Sequence, residues 1–135
     1  MVPQNRAIHV LCIDDDVLVL SLVAEALGAA GMQVETAVDG SHALQKIAMA
    51  EPPYDVLIVD ARMPNLDGWR LVMHARSGGF NGKIIIFSAH LDEHEQQRYE
   101  DLMIDRIIEK PPAAGELVAA VQELAQPGVT VPGTM

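Results

Sequence analysis

Five short β-prone runs punctuate this chain, and each is followed by a longer stretch whose apolar residues recur at helical spacing. Ala7–Ile13, Asp55–Asp60 and Lys83–Ser88 carry long apolar stretches; Gln33–Ala37 and Arg106–Glu109 are shorter and mixed, and Gln33–Ala37 is ambiguous taken alone. Apolar runs bounded by turn signals read as strands covered on both faces, the pattern of a parallel sheet. Between them, Val17–Ala30 reads as a helix with Asp16 as N-cap and Gly31 just past its end. Ser41 is expected to cap a second helix through Ala50, with Ala43, Leu44, Ile47 and Ala48 as its apolar stripe and Pro52-Pro53 as its stop. Gly68–Arg76, His90–Met103 and Ala113–Gln126 complete the set, the fourth helix being polar and only weakly periodic. Pro127–Met135 is rich in turn residues and reads as a mobile tail. Strand and helix thus alternate five times with short connections. The expected fold is one α/β domain over residues 1–126: a five-stranded parallel sheet, doubly wound, with helices on both faces in a (βα)5 three-layer sandwich. No internal repeat or low-complexity tract interrupts it.

Composition narrows the classes of function. At 135 residues, half of them apolar and 4% aromatic, the chain can bury an aliphatic core without staples. Nineteen acids against nine bases give a net charge of −10. That charge argues against nucleic acid, which needs a basic footprint, and against an anionic membrane surface. Cys12 is the only cysteine and sits in an apolar run, so a reducing cytosol is expected. No apolar run approaches the roughly 18 residues of a membrane span, and Arg6–Ile13 is too short and too soon acidic for a signal peptide. A cytoplasmic location follows as an expectation.

The chemistry gathers where strands end. In a parallel sheet every carboxyl end faces one edge, and ligands collect there. The first strand delivers Asp14 and Asp15 to that edge, the third Asp60, the fourth Ser88 and the fifth Lys110. After Asp60 the chain closes through Ala61-Arg62-Met63-Pro64 and the turn Asn65-Leu66-Asp67-Gly68. Carboxylates crowded at an edge repel by roughly 4 kcal/mol per pair at ~4 Å and an effective dielectric near ~20. Such a cluster calls for a hard divalent cation with oxygen ligands, Mg²⁺ first and Mn²⁺ second. Lys110 adds a fixed positive charge and Ser88 a hydroxyl, which together suit a tetrahedral oxyanion. A carboxylate nucleophile beside a metal clamp is the layout for phosphoryl transfer through an acyl phosphate.

Four segments carry a family likeness: Ile13-Asp14-Asp15-Asp16, Val59-Asp60-Ala61-Arg62-Met63-Pro64 with Asp67-Gly68, Phe87-Ser88-Ala89, and Glu109-Lys110-Pro111. Through them, over Ala7 to Gln126, the chain resembles the receiver domain of two-component response regulators. The resemblance implies the flavodoxin-like form of the doubly wound fold. It implies Asp60 as the phosphoacceptor, Asp15 as the more direct Mg²⁺ ligand, Asp14 acting largely through water, and the Arg62 backbone carbonyl completing the protein ligands. Lys110 would pair with the phosphoryl group and Ser88 would turn inward to hydrogen-bond it. The implied donor is a sensor histidine kinase or histidine phosphotransfer protein, and the implied role is a phosphorelay signalling switch rather than an enzyme. By the same resemblance, Arg62 and His90 influence how long the acyl phosphate survives. In this family the lysine–proline bond is commonly cis; with Pro112 following, the sequence leaves the isomer of Lys110–Pro111 open.

Some positions depart from the family. Three residues before Lys110, where Tyr or Phe is usual, stands Ile107, and the expected Gly-Ala pair ahead of strand five is Met103-Ile104. The common output face at helix four and strand five is therefore not carried over. Within Val17–Ala30 the only charge is Glu25 and the only other polar side chain Ser21, and the last helix is also broadly apolar. The first and last helices are neighbours in this topology. An apolar patch across them is expected to dock a phosphotransfer partner or a second copy in a homodimer; the plainer reading is alanine-rich helices with nothing bound.

Two other functions compete. A haloacid-dehalogenase-type phosphatase would use Asp14 as nucleophile, though Leu18 stands where Thr or Val is usual. A pseudo-receiver would bind a partner without phosphorylation. His90 and His94 have the four-residue spacing of a helical metal pair, more simply read as solvated histidines, and Trp69 reads as packing on helix three. No effector pattern follows Gln126, so the chain reads as a stand-alone regulator or a piece of a longer one.

Overall fold

The computed structural model describes residues 6–125, so the expected tail lies outside the described residues. The elements are β1 (His9–Ile13), α1 (Val17–Ala29), β2 (Gln33–Ala37), α2 (Gly40–Met49), β3 (Val56–Val59), α3 (Gly68–Ser77), β4 (Lys83–Ser88), α4 (Glu93–Glu100), β5 (Arg106–Glu109) and α5 (Glu116–Ala125). All pairings are parallel and the order is β2-β1-β3-β4-β5. The sheet grows outward to β2 on one side of β1 and to β3, β4 and β5 on the other. The order therefore reverses between β1 and β3, which opens a crevice at their carboxyl ends.

Alternation along the strands builds two aliphatic cores. Leu11, Ile13, Leu57, Val59, Ile84 and Ile86 share one core with Ala43 of α2, Leu71 of α3 and Tyr99 of α4. Val10, Cys12, Val56, Ile58, Ile85 and Phe87 share the other with Leu20 and Val23 of α1 and Val121 of α5. Register across the switch point is tight, Val10 opposite Val56 and Ile13 opposite Val59.

Local boundaries correct the sequence reading in places. Asp39, not Ser41, caps α2, its Oδ1 accepting from His42 N–H at 2.8 Å. A carboxylate two residues earlier reaches the free amide as well as a hydroxyl does. The fourth helix is shorter than His90–Met103. Asp92 and Glu95 form a reciprocal capping box that starts it at Glu93, and it ends at Glu100. Asp16 caps α1 as expected, accepting from Leu18 N–H at 3.0 Å, and Gly31 takes the left-handed φ of +87° beyond its end. Asp67 likewise caps α3 through Arg70 N–H.

Candidate phosphoryl-transfer site

Ser88 ends β4, while Asp14, Asp60 and Lys110 each sit one position past a strand and are still held by the sheet's ladder. Asp14 N–H donates to Ala37 carbonyl at 3.2 Å, Asp60 N–H to Ile13 carbonyl at 3.0 Å and Lys110 N–H to Ser88 carbonyl at 2.8 Å. These bonds extend β1, β3 and β5 by a residue, so the side chains leave rigid strand tips rather than free loops. The Lys110–Pro111 peptide is cis.

The four expected strand ends do converge. Carboxylate oxygens of Asp14, Asp15 and Asp60 lie within 4.8 Å of one another. Lys110 Nζ donates to Asp14 Oδ2 at 2.6 Å and stands 3.7 Å from Asp60 Oδ1. Asp14 Oδ1 accepts from Asp16 N–H at 2.9 Å, so both oxygens of this buried acid are engaged. Asp15 is exposed, whereas Asp60 is 7% exposed. Arg62 N–H reaches towards Asp60 Oδ1 at 3.4 Å.

Three carboxylates against one ammonium leave a formal charge of −2 in a partly buried site. The imbalance shows in Asp60, whose pKa is pushed up to about 6 by burial first and by the Asp14 charge second, with Lys110 pulling the other way. Clustered hard oxygen donors with surplus negative charge fit a divalent cation of the Mg²⁺ class. On β4, beside this cluster, Ser88 is buried and its Oγ has no hydrogen-bond partner among the described residues. An orphan hydroxyl costs stability unless something arrives to use it.

The sequence model of the response regulator receiver domain matches residues 10–122. This chain belongs to that family. Receivers of this kind are two-component signalling domains, not classical enzymes. The receiver is 33% identical over 110 residues to the sensor histidine kinase RcsC of Escherichia coli, covering 82% of this chain and 11% of that protein. It is 34% identical over 116 residues to the response regulator MprA of Mycobacterium leprae, covering 86% of this chain and 50% of that protein. The chain thus spans half or less of the length of these curated relatives. Among solved structures, the chemotaxis protein CheY4 of Vibrio cholerae matches with a TM-score of 0.82 at 27% identity, covering 88% of this chain and 99% of that one. A Francisella response regulator receiver domain matches with a TM-score of 0.80 at 30% identity, over 87% and 95% of the two chains.

Smaller sequence signals resolve differently. His90 precedes α4, so His90 and His94 share no helical face; His90 Nδ1 lies 3.3 Å from Glu109 instead. Among the described residues, the three aspartates are the one cluster with metal-ligand geometry. Trp69 packs, as expected, and does more: its Nε1–H donates to Arg98 carbonyl at 3.2 Å, and the Arg98 guanidinium lies 4.5 Å over its ring. Ile107 fills part of the core beneath α4. Two residues beside the site escaped sequence reading. Tyr99 is buried against Gly68, and Glu95 receives the Arg62 guanidinium. The Asp92-x-x-Glu95 capping pattern and a lone aromatic in a polar helix were their only signals.

Proposed function

We propose that this receiver accepts a phosphoryl group on Asp60 from a phosphohistidine donor and changes the surface it offers to a partner. One observation carries the reading: Asp60 sits where Asp14, Asp15 and Lys110 meet, with the unpartnered Ser88 hydroxyl on the neighbouring strand. An Asp60 carboxylate oxygen attacks phosphorus, the donor's N–P bond breaks, and the imidazole leaves and regains its proton. The product is an acyl phosphate. Hydrolysis reverses the state: water attacks phosphorus, the O–P bond breaks, and inorganic phosphate leaves a free carboxylate. Asp14, Asp15, Asp60 and the Arg62 carbonyl would hold a divalent cation, which when bound supplies positive charge to the phosphoryl oxygens. Lys110 pairs with the same oxygens from the β5 side. Ser88 donates its hydroxyl to one of them, which satisfies its buried Oγ. Asp14 is the weaker nucleophile, because Lys110 and Asp16 N–H already occupy both of its oxygens.

The donor's approach is set by α1 and the β5–α5 connection. An apolar groove of 540 Å³ runs between them, walled by Val19, Leu22, Phe87, Pro112 and Leu117 and ending at Lys110. Val17, Leu18 and Leu22 stand 58 to 67% exposed beside it. A helical phosphohistidine protein seated there would bring its imidazole to Asp60.

Incubation with acetyl phosphate and Mg²⁺, followed by peptide mass spectrometry, tests the assignment. One phosphoryl group on the Asp60 peptide, absent in Asp60→Asn, is expected. A label on Asp14 would favour a phosphatase instead, and no label a pseudo-receiver.

A further inference from the structure

One charge pair ties the loop that carries Asp60 to α4. Arg62 lies two residues past Asp60, yet its guanidinium goes to Glu95, with Nη2 3.0 Å from both carboxylate oxygens. Glu95 is committed twice. Its Oε1 also accepts from Asp92 N–H at 3.1 Å, while its own N–H donates to Asp92 Oδ1 at 2.8 Å, closing the capping box that starts α4. A cavity of 460 Å³ opens beside the pair, walled in part by Asp67, Trp69, Arg98 and Tyr99, so the guanidinium has room to turn.

A phosphoryl group on Asp60 changes the competition for that guanidinium. Glu95 offers a single charge, shared with its cap. A phosphoryl group offers nearly two, with three acceptor oxygens, and the planar fork of arginine matches either partner. We propose that Glu95 is a positioning residue that holds Arg62 in reserve, so that phosphorylation of Asp60 draws the guanidinium off Glu95 and unties α4. This inference rests on Asp60 being the phosphoacceptor. It gives the receiver a route from site to surface that bypasses β5, where Ile107 replaces the usual aromatic.

Glu95→Gln separates the two jobs of this side chain. Glutamine at the third helical position still closes a capping box but lacks the charge that retains Arg62. The probe is trifluoroberyllate with Mg²⁺, a tetrahedral phosphoryl mimic, titrated calorimetrically into the full chain. Because Arg62 must leave Glu95 before it can bind, wild type shows a weakened apparent affinity. Glu95→Gln is expected to bind roughly two- to fivefold tighter, the span of a solvent-exposed charge pair. In an Arg62→Ala background, adding Glu95→Gln leaves the affinity unchanged. Equal tightening with and without Arg62 would assign the effect to the general field of a removed acid and overturn the proposal. No tightening in the wild-type background would overturn it too. A wild-type protein that neither binds the probe nor takes a label on Asp60 defeats the phosphoacceptor assignment itself, a distinct result.

Discussion

Ser88 buries a hydroxyl that nothing among the described residues satisfies. An unsatisfied buried group of this kind costs about 1–3 kcal/mol. Ser88→Ala should therefore leave stability unchanged or raise it by about 1 kcal/mol in urea unfolding, while lowering the yield of acyl phosphate. A fall in both would mean the hydroxyl is structural. Asp60 makes the complementary prediction for pH. Its folded-state pKa is raised to about 6, chiefly by burial, against about 3.9 in the unfolded chain. The folded state thus holds the proton more tightly. The stability this gives is complete below the unfolded value and is lost as pH rises through about 6, a change on the order of 3 kcal/mol. The metal-free receiver should need more urea to unfold at pH ~5 than at pH ~7.5, the two sides of that titration. Asp60→Asn should flatten the difference. Mg²⁺, which Asp14, Asp15 and Asp60 are proposed to hold in the folded state, should restore stability at the higher pH.

Helix α4 is the loosest element by its own sequence. Its one buried residue is Tyr99, and Trp69–Arg98 and Arg62–Glu95 are its other ties to the Asp60 loop and α3. Gly68 makes this arrangement fit. A Cβ there would come 2.6 Å from the Asp60 carbonyl oxygen, 2.8 Å from the Tyr99 hydroxyl and 2.9 Å from Ala61 Cα. Two of those three atoms are backbone and cannot swing aside. Gly68→Ala should cost about 1–3 kcal/mol in thermal unfolding and speed amide exchange in α4 more than in α3. Loss of stability with α4 protection intact would show that the helix is held by something else. The helix also explains where pattern reading stopped. Polar side chains on every face leave no periodicity to mark its ends, so the capping box alone fixed its start.

Across the whole molecule the net charge is −10. Three of the acids meet at the crevice. Helix α1 exposes Val17, Leu18 and Leu22 together, while Val38, Met49 and Met103 are exposed singly elsewhere. Among the described residues, no helix is long and apolar enough to cross a membrane. Leu22 is 58% exposed and lines the groove, whose walls include no acid. Leu22→Glu should slow transfer from a phosphohistidine protein at least roughly tenfold, as a charge buried at an interface would. It should leave labelling by acetyl phosphate unchanged. Equal loss with both donors would place the defect in the site, and no loss with either would free the groove of any donor role.

The alternation of strand and helix, the strand-end acids, Ser88 and Lys110 were all fixed by the sequence, because period and punctuation are local properties of a chain. The cap of α2 and the ends of α4 were less legible, since neighbouring side chains compete for the same free amides. Only tertiary packing decided that Lys110 would bond Asp14 closely and Asp60 at longer range, that Ser88 would be left unpartnered, and that Arg62 would be claimed by Glu95. Those outcomes join residues up to 96 positions apart, and only the folded sheet sets the distances between them.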